Sequence, residues 1–109
     1  MKKIKYHKDV LLSLDELIDI LINKGYFSFY EYSVQYIEDL VFYIKNNIEL
    51  QYHKKAPVYF SKYGNNLFYI IYKRNKQTTW YVLFQKTEQR YFIRHITNNH
   101  IAESQYFNS

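Results

Sequence analysis

Side chains able to act on a phosphate ester gather in residues 90 to 107. The candidates are two cations, two amides, an imidazole and a phenol: Arg90, Arg94, Asn98, Asn99, His100 and Tyr106. In a regular strand, Arg94 and Ile96 would point to one face while Ile93 and His95 point to the other. One face of the last strand is therefore expected to carry a cation.

Such a set suits the cleavage of RNA without a metal ion. A base removes the proton of a 2′-OH, an acid protonates the leaving 5′-oxygen, and cations stabilise the charge that develops on the phosphate oxygens. His100 and Tyr106 are the candidate acid and base, and Arg94 is the candidate catalytic cation. The candidates for binding RNA phosphates are Lys73, Arg74, Arg90, Asn98 and Asn99. A structural alternative stays open, in which the aromatic residues pack the sheet, Arg94 pairs with a helical carboxylate and His100 lies in a solvent loop.

Other common chemistries lack their residues. The sequence has no cysteine and only two glycines, which excludes thiol nucleophiles, thiolate metal sites and a glycine-rich phosphate loop. Its four histidines are spread over separate segments without a matching carboxylate pattern, so neither a metal nor a cofactor is expected. No apolar run approaches the roughly 20 residues that span a bilayer, and the start lacks a secretory signal. We therefore expect a cytoplasmic protein without a membrane partner.

Charge and aromatic content differ from those of an average domain. Residues 1–50 carry a net charge of −2 and residues 51–109 carry +7, and aromatic residues make up 21% of the chain. A basic half favours a polyanionic or acidic partner, because its field concentrates ligands of opposite charge. Rings left at the surface suit the stacking of single-stranded bases. The simpler explanation is that many small proteins are basic.

The first half has the pattern of two helices. Ser13 and Glu16 form a capping box, and an apolar stripe predicts a first helix over residues 14–24. A second capping box, Ser28 with Glu31, predicts a helix that fades near Asn46 and Asn47. Because only Gly25-Tyr26-Phe27 separates them, the helices are expected to form an antiparallel hairpin over residues 13–47.

The second half has the pattern of a sheet. Runs of β-branched and aromatic residues separated by short polar turns predict three or four antiparallel strands over residues 57–97. The runs are Val58–Tyr63, Leu67–Tyr72, Thr79–Gln85 and Tyr91–Ile96. The segment from Ala56 to Tyr63 could be a strand, a short helix or a loop, and Pro57 favours an edge position. With a tail over residues 98–109, the chain is predicted to form one α+β domain over residues 1–109, its sheet covered by the helical hairpin alone.

The order of these elements resembles the RelE/ParE superfamily of toxins from bacterial toxin–antitoxin systems. Residues 66–74, Asn-Leu-Phe-Tyr-Ile-Ile-Tyr-Lys-Arg, resemble the central strand, and residues 81–84 and 92–96 resemble the two strands after it. The resemblance implies a ribosome-dependent, metal-independent mRNA endoribonuclease that is held inactive by a cognate antitoxin. His100 and Tyr106 fall at its two tail positions.

Tyr69 departs from the pattern of the ribonuclease branch, which has an arginine at that point of the central strand. The gyrase-poisoning branch shares the scaffold without the tail chemistry. A non-enzymatic binding module is therefore the alternative prediction: either a ParE-like inhibitor of DNA gyrase or a scaffold that binds a protein partner.

Overall fold

Two helices precede most of a five-stranded sheet in the computed structural model, which describes residues 2–23 and 30–108. The elements in chain order are β1 (Lys3–Tyr6), α1 (Lys8–Asn23), α2 (Tyr30–Asn47), β2 (Lys54–Lys55), the 3₁₀ segment η1 (Val58–Tyr63), β3 (Phe68–Lys73), β4 (Thr79–Lys86), β5 (Arg90–Asn98) and the 3₁₀ segment η2 (Ala102–Asn108). Over these described ranges, no helix is long and apolar enough to cross a bilayer.

The sheet has the strand order β1-β5-β4-β3-β2. Strands β3, β4 and β5 form the antiparallel meander that the sequence predicts, and the α+β class is confirmed. Two short edge strands were not predicted. Strand β2 pairs antiparallel with β3, and β1 pairs parallel with β5, with Lys3 opposite Arg90 and Tyr6 opposite Ile93. The sheet is therefore mixed.

One face of the sheet is covered by the helices, which also contact each other. Leu40, Ile44 and Ile48 are fully buried against Ile70 and Val82 of the sheet. The predicted apolar stripes of both helices thus form the larger core. Truncating one of these side chains to alanine is expected to cost about 2–5 kcal/mol of stability, because it leaves a cavity.

The opposite face of the sheet carries a second core, so the prediction that the helices alone cover the sheet is wrong. Phe60 of η1 is fully buried there with Tyr69, Tyr81 and Leu83. Phe107 of η2 closes this core, with its ring stacked on that of Tyr81 at 4.0 Å between centroids and 5° between planes. The aromatic content of the sequence is used here: two 3₁₀ segments can cover a sheet face because each contributes a large ring.

The start of α1 differs from the prediction. The helix begins at Lys8, and Ser13 lies inside it, where its hydroxyl donates to the Asp9 carbonyl at 2.9 Å. A serine that bonds back to position i−4 has no capping role, so the capping box at Ser13 is wrong. The second predicted box, at Ser28, and the predicted linker at residues 25–27 lie outside the described residues.

The segment that the sequence left open is a 3₁₀ helix. Pro57 precedes it with φ −58° and ψ 151°, and the Pro57 carbonyl accepts the Phe60 N–H at 3.0 Å. The segment does not extend the sheet as the predicted strand at Val58–Tyr63 would, because its purpose in the packing is to place Phe60 in the core while Val58 stays 86% exposed. The antiparallel sheet predicted over residues 57–97 therefore begins only at Phe68.

Candidate functional site

A β-bulge in β5 decides where Arg94 and His95 point. Leu83 of β4 pairs with His95, whereas the next residue, Phe84, pairs with Ile93, so Arg94 is the extra residue on β5. Ile93 and Ile96 both pack into the helix-side core. The predicted alternation, with Arg94 beside Ile96 and Ile93 beside His95, is therefore wrong, because a bulge shifts the period of two by one residue.

Arg94 and His95 consequently lie together on the face opposite the helices. They line a cleft of about 300 Å³ at the edge of β5, where its pairing with β1 has ended. The other polar lining residues come from the start of α1 and the end of η1: His7, Asp9, Ser13, Lys62 and Tyr63. This group of side chains is called the cleft below.

His95 is held from two sides. Its Nε2 lies 2.6 Å from Oε1 of Glu103 in η2, and both side chains are mostly buried. The ring of Tyr63 stacks on the imidazole at 3.8 Å and 8°. An Nε2–H that donates to Glu103 leaves Nδ1 of a neutral imidazole with its lone pair, which is the state that a general base needs.

Arg94 is also fixed in place. Its Nη1 donates to Oε1 of Gln85 at 3.0 Å, and its guanidinium lies 5.3 Å from the centre of the Phe92 ring. Gly64, at φ +148°, leaves the space that these side chains occupy, because a Cβ there would lie 2.9 Å from Gln85 Nε2 and 3.3 Å from Arg94 Nη1. The glycine is therefore required both by its backbone conformation and by the position of Arg94.

A second cation, Lys62, borders the cleft on the side of η1. Its ammonium donates to the Tyr59 hydroxyl at 3.1 Å and lies 4.2 Å from the centre of that ring. The hydrogen bond with Tyr59 is the main reason that the pKa of Lys62 is raised. Burial, followed by the charge of Glu103, raises the pKa of the Tyr63 phenol above its ordinary value. Lys62 therefore stays positively charged and Tyr63 neutral at physiological pH.

A second imidazole reaches the cleft from the β1–α1 junction. Nδ1 of His7 accepts the backbone N–H of Asp9 at 3.1 Å, and the Asp9 carboxylate is 3.6 Å from the same nitrogen. The His7 ring contacts Phe92 at 5.8 Å. Sequence reasoning missed His7, His95, Lys62 and Glu103 as a group. Only the tertiary fold joins these segments, although the bulge also depends on strand register that no local motif records.

The predicted site residues are distributed over three places. Arg94 lies in the cleft, and Tyr106 lies near it, stacked at 4.0 Å on the Tyr59 ring that binds Lys62. Arg74 lies on the helix side, where its guanidinium binds the Asp39 carboxylate at 3.2 Å and covers the Tyr36 ring. Burial would lower the pKa of Arg74, but its hydrogen bonds with Tyr72 and Asp39 outweigh burial and raise it.

The remaining predicted residues lie near the ends of β5. Asn98, Asn99 and His100 form hydrogen bonds within the turn after β5 and to the turn between β3 and β4, where His100 Nε2 is 2.9 Å from Thr78 Oγ1. Lys73 pairs with Thr79 at that same end of the sheet. Arg90 begins β5, about 26 Å from Asn98 along the strand. The structure therefore does not gather Lys73, Arg74, Arg94, His100 and Tyr106 on one concave face.

Tyr69, at the position where the resemblance expects a cation, is a core residue. It is 8% exposed and contacts the rings of Tyr81 and Phe107. Burial, with a smaller effect of Tyr81, raises the pKa of its phenol. The tail thus covers the surface on which a central-strand arginine would meet RNA.

The described residues contain no group of three histidine, aspartate or glutamate side chains that could hold a metal ion. The cleft instead offers an imidazole bound to a carboxylate, a second imidazole and two cations. Comparisons of the chain with models of protein families, with curated proteins and with solved structures found no match. The resemblance to the RelE/ParE superfamily therefore stays a prediction.

Proposed function

We propose that the cleft cleaves single-stranded RNA without a metal ion, in the setting that the resemblance implies: a toxin that acts on mRNA at the ribosome and is restrained by an antitoxin. The observation that carries the proposal is the placement of His95 and Arg94 side by side in the cleft, with Glu103 bound to the imidazole. This arrangement supplies a positioned base beside a fixed cation, which are the two parts that phosphodiester cleavage needs.

The reaction balances with the residues of the cleft. Nδ1 of His95 takes the proton of a 2′-OH, whose oxygen attacks the neighbouring phosphorus. The bond from phosphorus to the 5′-oxygen breaks, and the leaving oxygen receives a proton from His7 or from water. Arg94 and Lys62 stabilise the negative charge on the phosphate oxygens. The products are a 2′,3′-cyclic phosphate and a 5′-hydroxyl.

The assignment moves the base from His100 to His95. His100 is exposed and its Nε2 is engaged with Thr78, at the far end of β5 from the β1 pairing. His95 has both a carboxylate partner and a stacked ring, which fix the orientation of its imidazole. A fixed base is more effective than one that must first be ordered.

The proposal is tested by expressing the chain from a tightly controlled promoter and mapping mRNA ends on translating ribosomes. We expect growth arrest and new ends with 2′,3′-cyclic phosphates, formed equally well in the presence of a chelator. His95→Ala should lower the cleavage rate by about 10²–10⁴-fold, the usual contribution of general acid–base catalysis. The matched control, His100→Ala, should cleave normally. Intact mRNA under growth arrest, or loss of cleavage in the His100 variant alone, would contradict the proposal.

The second candidate is a non-enzymatic binding module. It is favoured by large apolar side chains that are exposed on the helices, among them Leu11 at 50%, Leu12 at 58% and Phe42 at 67%. Such side chains are typical of surfaces that contact another protein. Growth arrest that persists in the His95→Ala variant with intact mRNA would favour this candidate, and a DNA-damage response would identify DNA gyrase as the target.

A further inference from the structure

The sheet face outside the second core carries a basic surface with one aromatic ring. In β1, Ile4 and Tyr6 pack toward the helix-side core, so Lys3 and Lys5 point to the opposite face. In β5, Tyr91 is in the helix-side core, so Arg90 and Phe92 also point to that opposite face. Lys3, Lys5, Arg90 and Phe92 are called the β1–β5 patch below.

The register places these side chains next to one another. Lys3 pairs with Arg90, and Lys5 pairs with Phe92, across parallel strands about 4.8 Å apart. Phe92 belongs to neither core, and its ring is bordered by the His7 imidazole and the Arg94 guanidinium. Because His7 and Arg94 both line the cleft, the patch is continuous with it.

The charges of the patch are not neutralised within the described part of the chain. Its three cations, Lys3, Lys5 and Arg90, have no carboxylate oxygen within 4.0 Å, since the ion pairs there involve only His7, Arg74 and His95. Glu49 and Glu88 border the same groove, and Glu49 accepts the backbone N–H of Lys2 at 3.0 Å. The surface therefore keeps an excess of positive charge around Phe92.

We infer that the β1–β5 patch binds the single-stranded RNA that leads into the cleft. Cations bind the phosphates, and one unpaired base stacks on Phe92, which is how sheet faces with exposed rings hold single strands. A double helix has its bases already stacked, so the ring would have no base to receive. The inference rests on the proposed function for the choice of RNA, but binding at the patch is measured separately from cleavage.

The test is fluorescence anisotropy with the full chain and a labelled 2′-O-methyl RNA of about twelve nucleotides, which lacks the attacking hydroxyl and stays intact. The double variant Lys3→Gln/Lys5→Gln is compared with Lys54→Gln/Lys55→Gln. The second pair is equally exposed, lies in β2 at the other edge of the sheet and changes the net charge by the same amount.

We expect the β1 variant to bind more weakly and its plot of log K against log salt to be shallower by about 1.4, because each phosphate contact to a single strand contributes about 0.7. The β2 variant should keep the wild-type slope. Phe92→Leu keeps an apolar side chain but removes the ring, and should weaken binding by about 5- to 150-fold with the slope unchanged. Circular dichroism and thermal melting establish that each variant is folded.

Equal slopes for the two lysine variants would overturn the inference, as would a duplex of the same sequence that binds as tightly as the single strand. Binding of an acidic peptide but not of RNA would assign the patch to a protein partner and overturn it as well. The two proposals fail separately. If wild-type protein does not cleave mRNA but the β1 variant loses binding, the patch stands without the reaction; cleavage with equal slopes gives the opposite result.

Discussion

Oε1 of Glu103 lies 2.6 Å from Nε2 of His95, so the tail of the chain orients the imidazole that the last strand carries into the cleft. The strand alone cannot do this, because its bulge fixes only the direction of the side chain and leaves the ring free to turn. Tyr63 limits the ring to one plane, and Glu103 selects which nitrogen bears the proton.

Replacing Glu103 should slow the proposed cleavage without weakening RNA binding. Glu103→Gln retains an acceptor for the Nε2–H but removes the charge that stabilises the imidazolium formed in the reaction. A hydrogen bond to a charged group contributes about 1.5–3 kcal/mol, so we expect kcat to fall by about 10- to 100-fold. Because Glu103 does not contact the substrate, KM should stay unchanged. An unchanged kcat would show that the carboxylate only packs the tail.

Substitution of Gly64 should disturb the position of Arg94. Gly64→Ala adds a Cβ 2.9 Å from Gln85 Nε2 in a backbone conformation that L residues rarely adopt. We expect a loss of about 1–3 kcal/mol in the free energy of unfolding, measured in urea, together with slower cleavage. The control is Asn65→Ala, since Asn65 is exposed and its backbone carbonyl makes the contact with Gln85. Equal stability of the two variants would contradict the prediction.

Removing the ring of Phe107 should open the second core. It contacts Phe60, Tyr69 and Tyr81, and no other residue of the tail reaches all three. We expect Phe107→Ala to cost about 3 kcal/mol, the lower end for a phenylalanine truncation, because the ring is only partly buried. Tyr52→Ala, at a position that is 80% exposed, should change stability by less than about 0.5 kcal/mol. Similar midpoints in urea for both variants would show that η2 is not part of the folded core.

The stability of the fold should fall at high pH because of Tyr6. Burial raises the pKa of its phenol to about 12, from 10.0. A raised pKa means that the folded state holds the proton more tightly, so the contribution is complete below pH 10 and is lost as the pH rises toward 12. The loss reaches about 2–3 kcal/mol. Tyr6→Phe should be less sensitive over this window than wild type.

The measurement is urea unfolding at pH 8 and at several points from pH 10 to 11.5. Tyr52→Phe removes a phenol at an exposed position and serves as the control. If wild type and the Tyr6→Phe variant lose stability in parallel while pH rises, the phenol of Tyr6 ionises as easily in the folded state as in the unfolded one, and the prediction is wrong.

Local sequence patterns predict the part of the fold that local interactions determine. The meander of β3, β4 and β5 follows from apolar runs and polar turns, and the helices follow from their apolar stripes. Strand β1 was missed because Lys-Ile-Lys-Tyr is a poor strand by composition and is stabilised by pairing with a distant segment. The 3₁₀ form of η1 depends on the pocket that receives Phe60, which no residue of η1 specifies.

The candidate site was less predictable than the fold. Arg94 was identified because a cation in an apolar strand stands out, but its neighbours were assigned from their order in the sequence. The bulge moves His95 to the side of Arg94, and the tail brings Glu103 rather than His100 to the imidazole. Such placements arise from strand register and tail packing, which depend on the whole core.

The parallel pair of β1 and β5 also has a consequence for biogenesis. Residue 3 must wait for residue 90 before its strand can form, so the contact closes a loop that contains nearly all of the sheet. Closing so long a loop is slow and is favoured only after the meander exists. During synthesis, His7 can reach Arg94 and His95 only after the ribosome has released the last strand from its exit tunnel. A nascent chain would therefore lack the cleft until translation is almost finished.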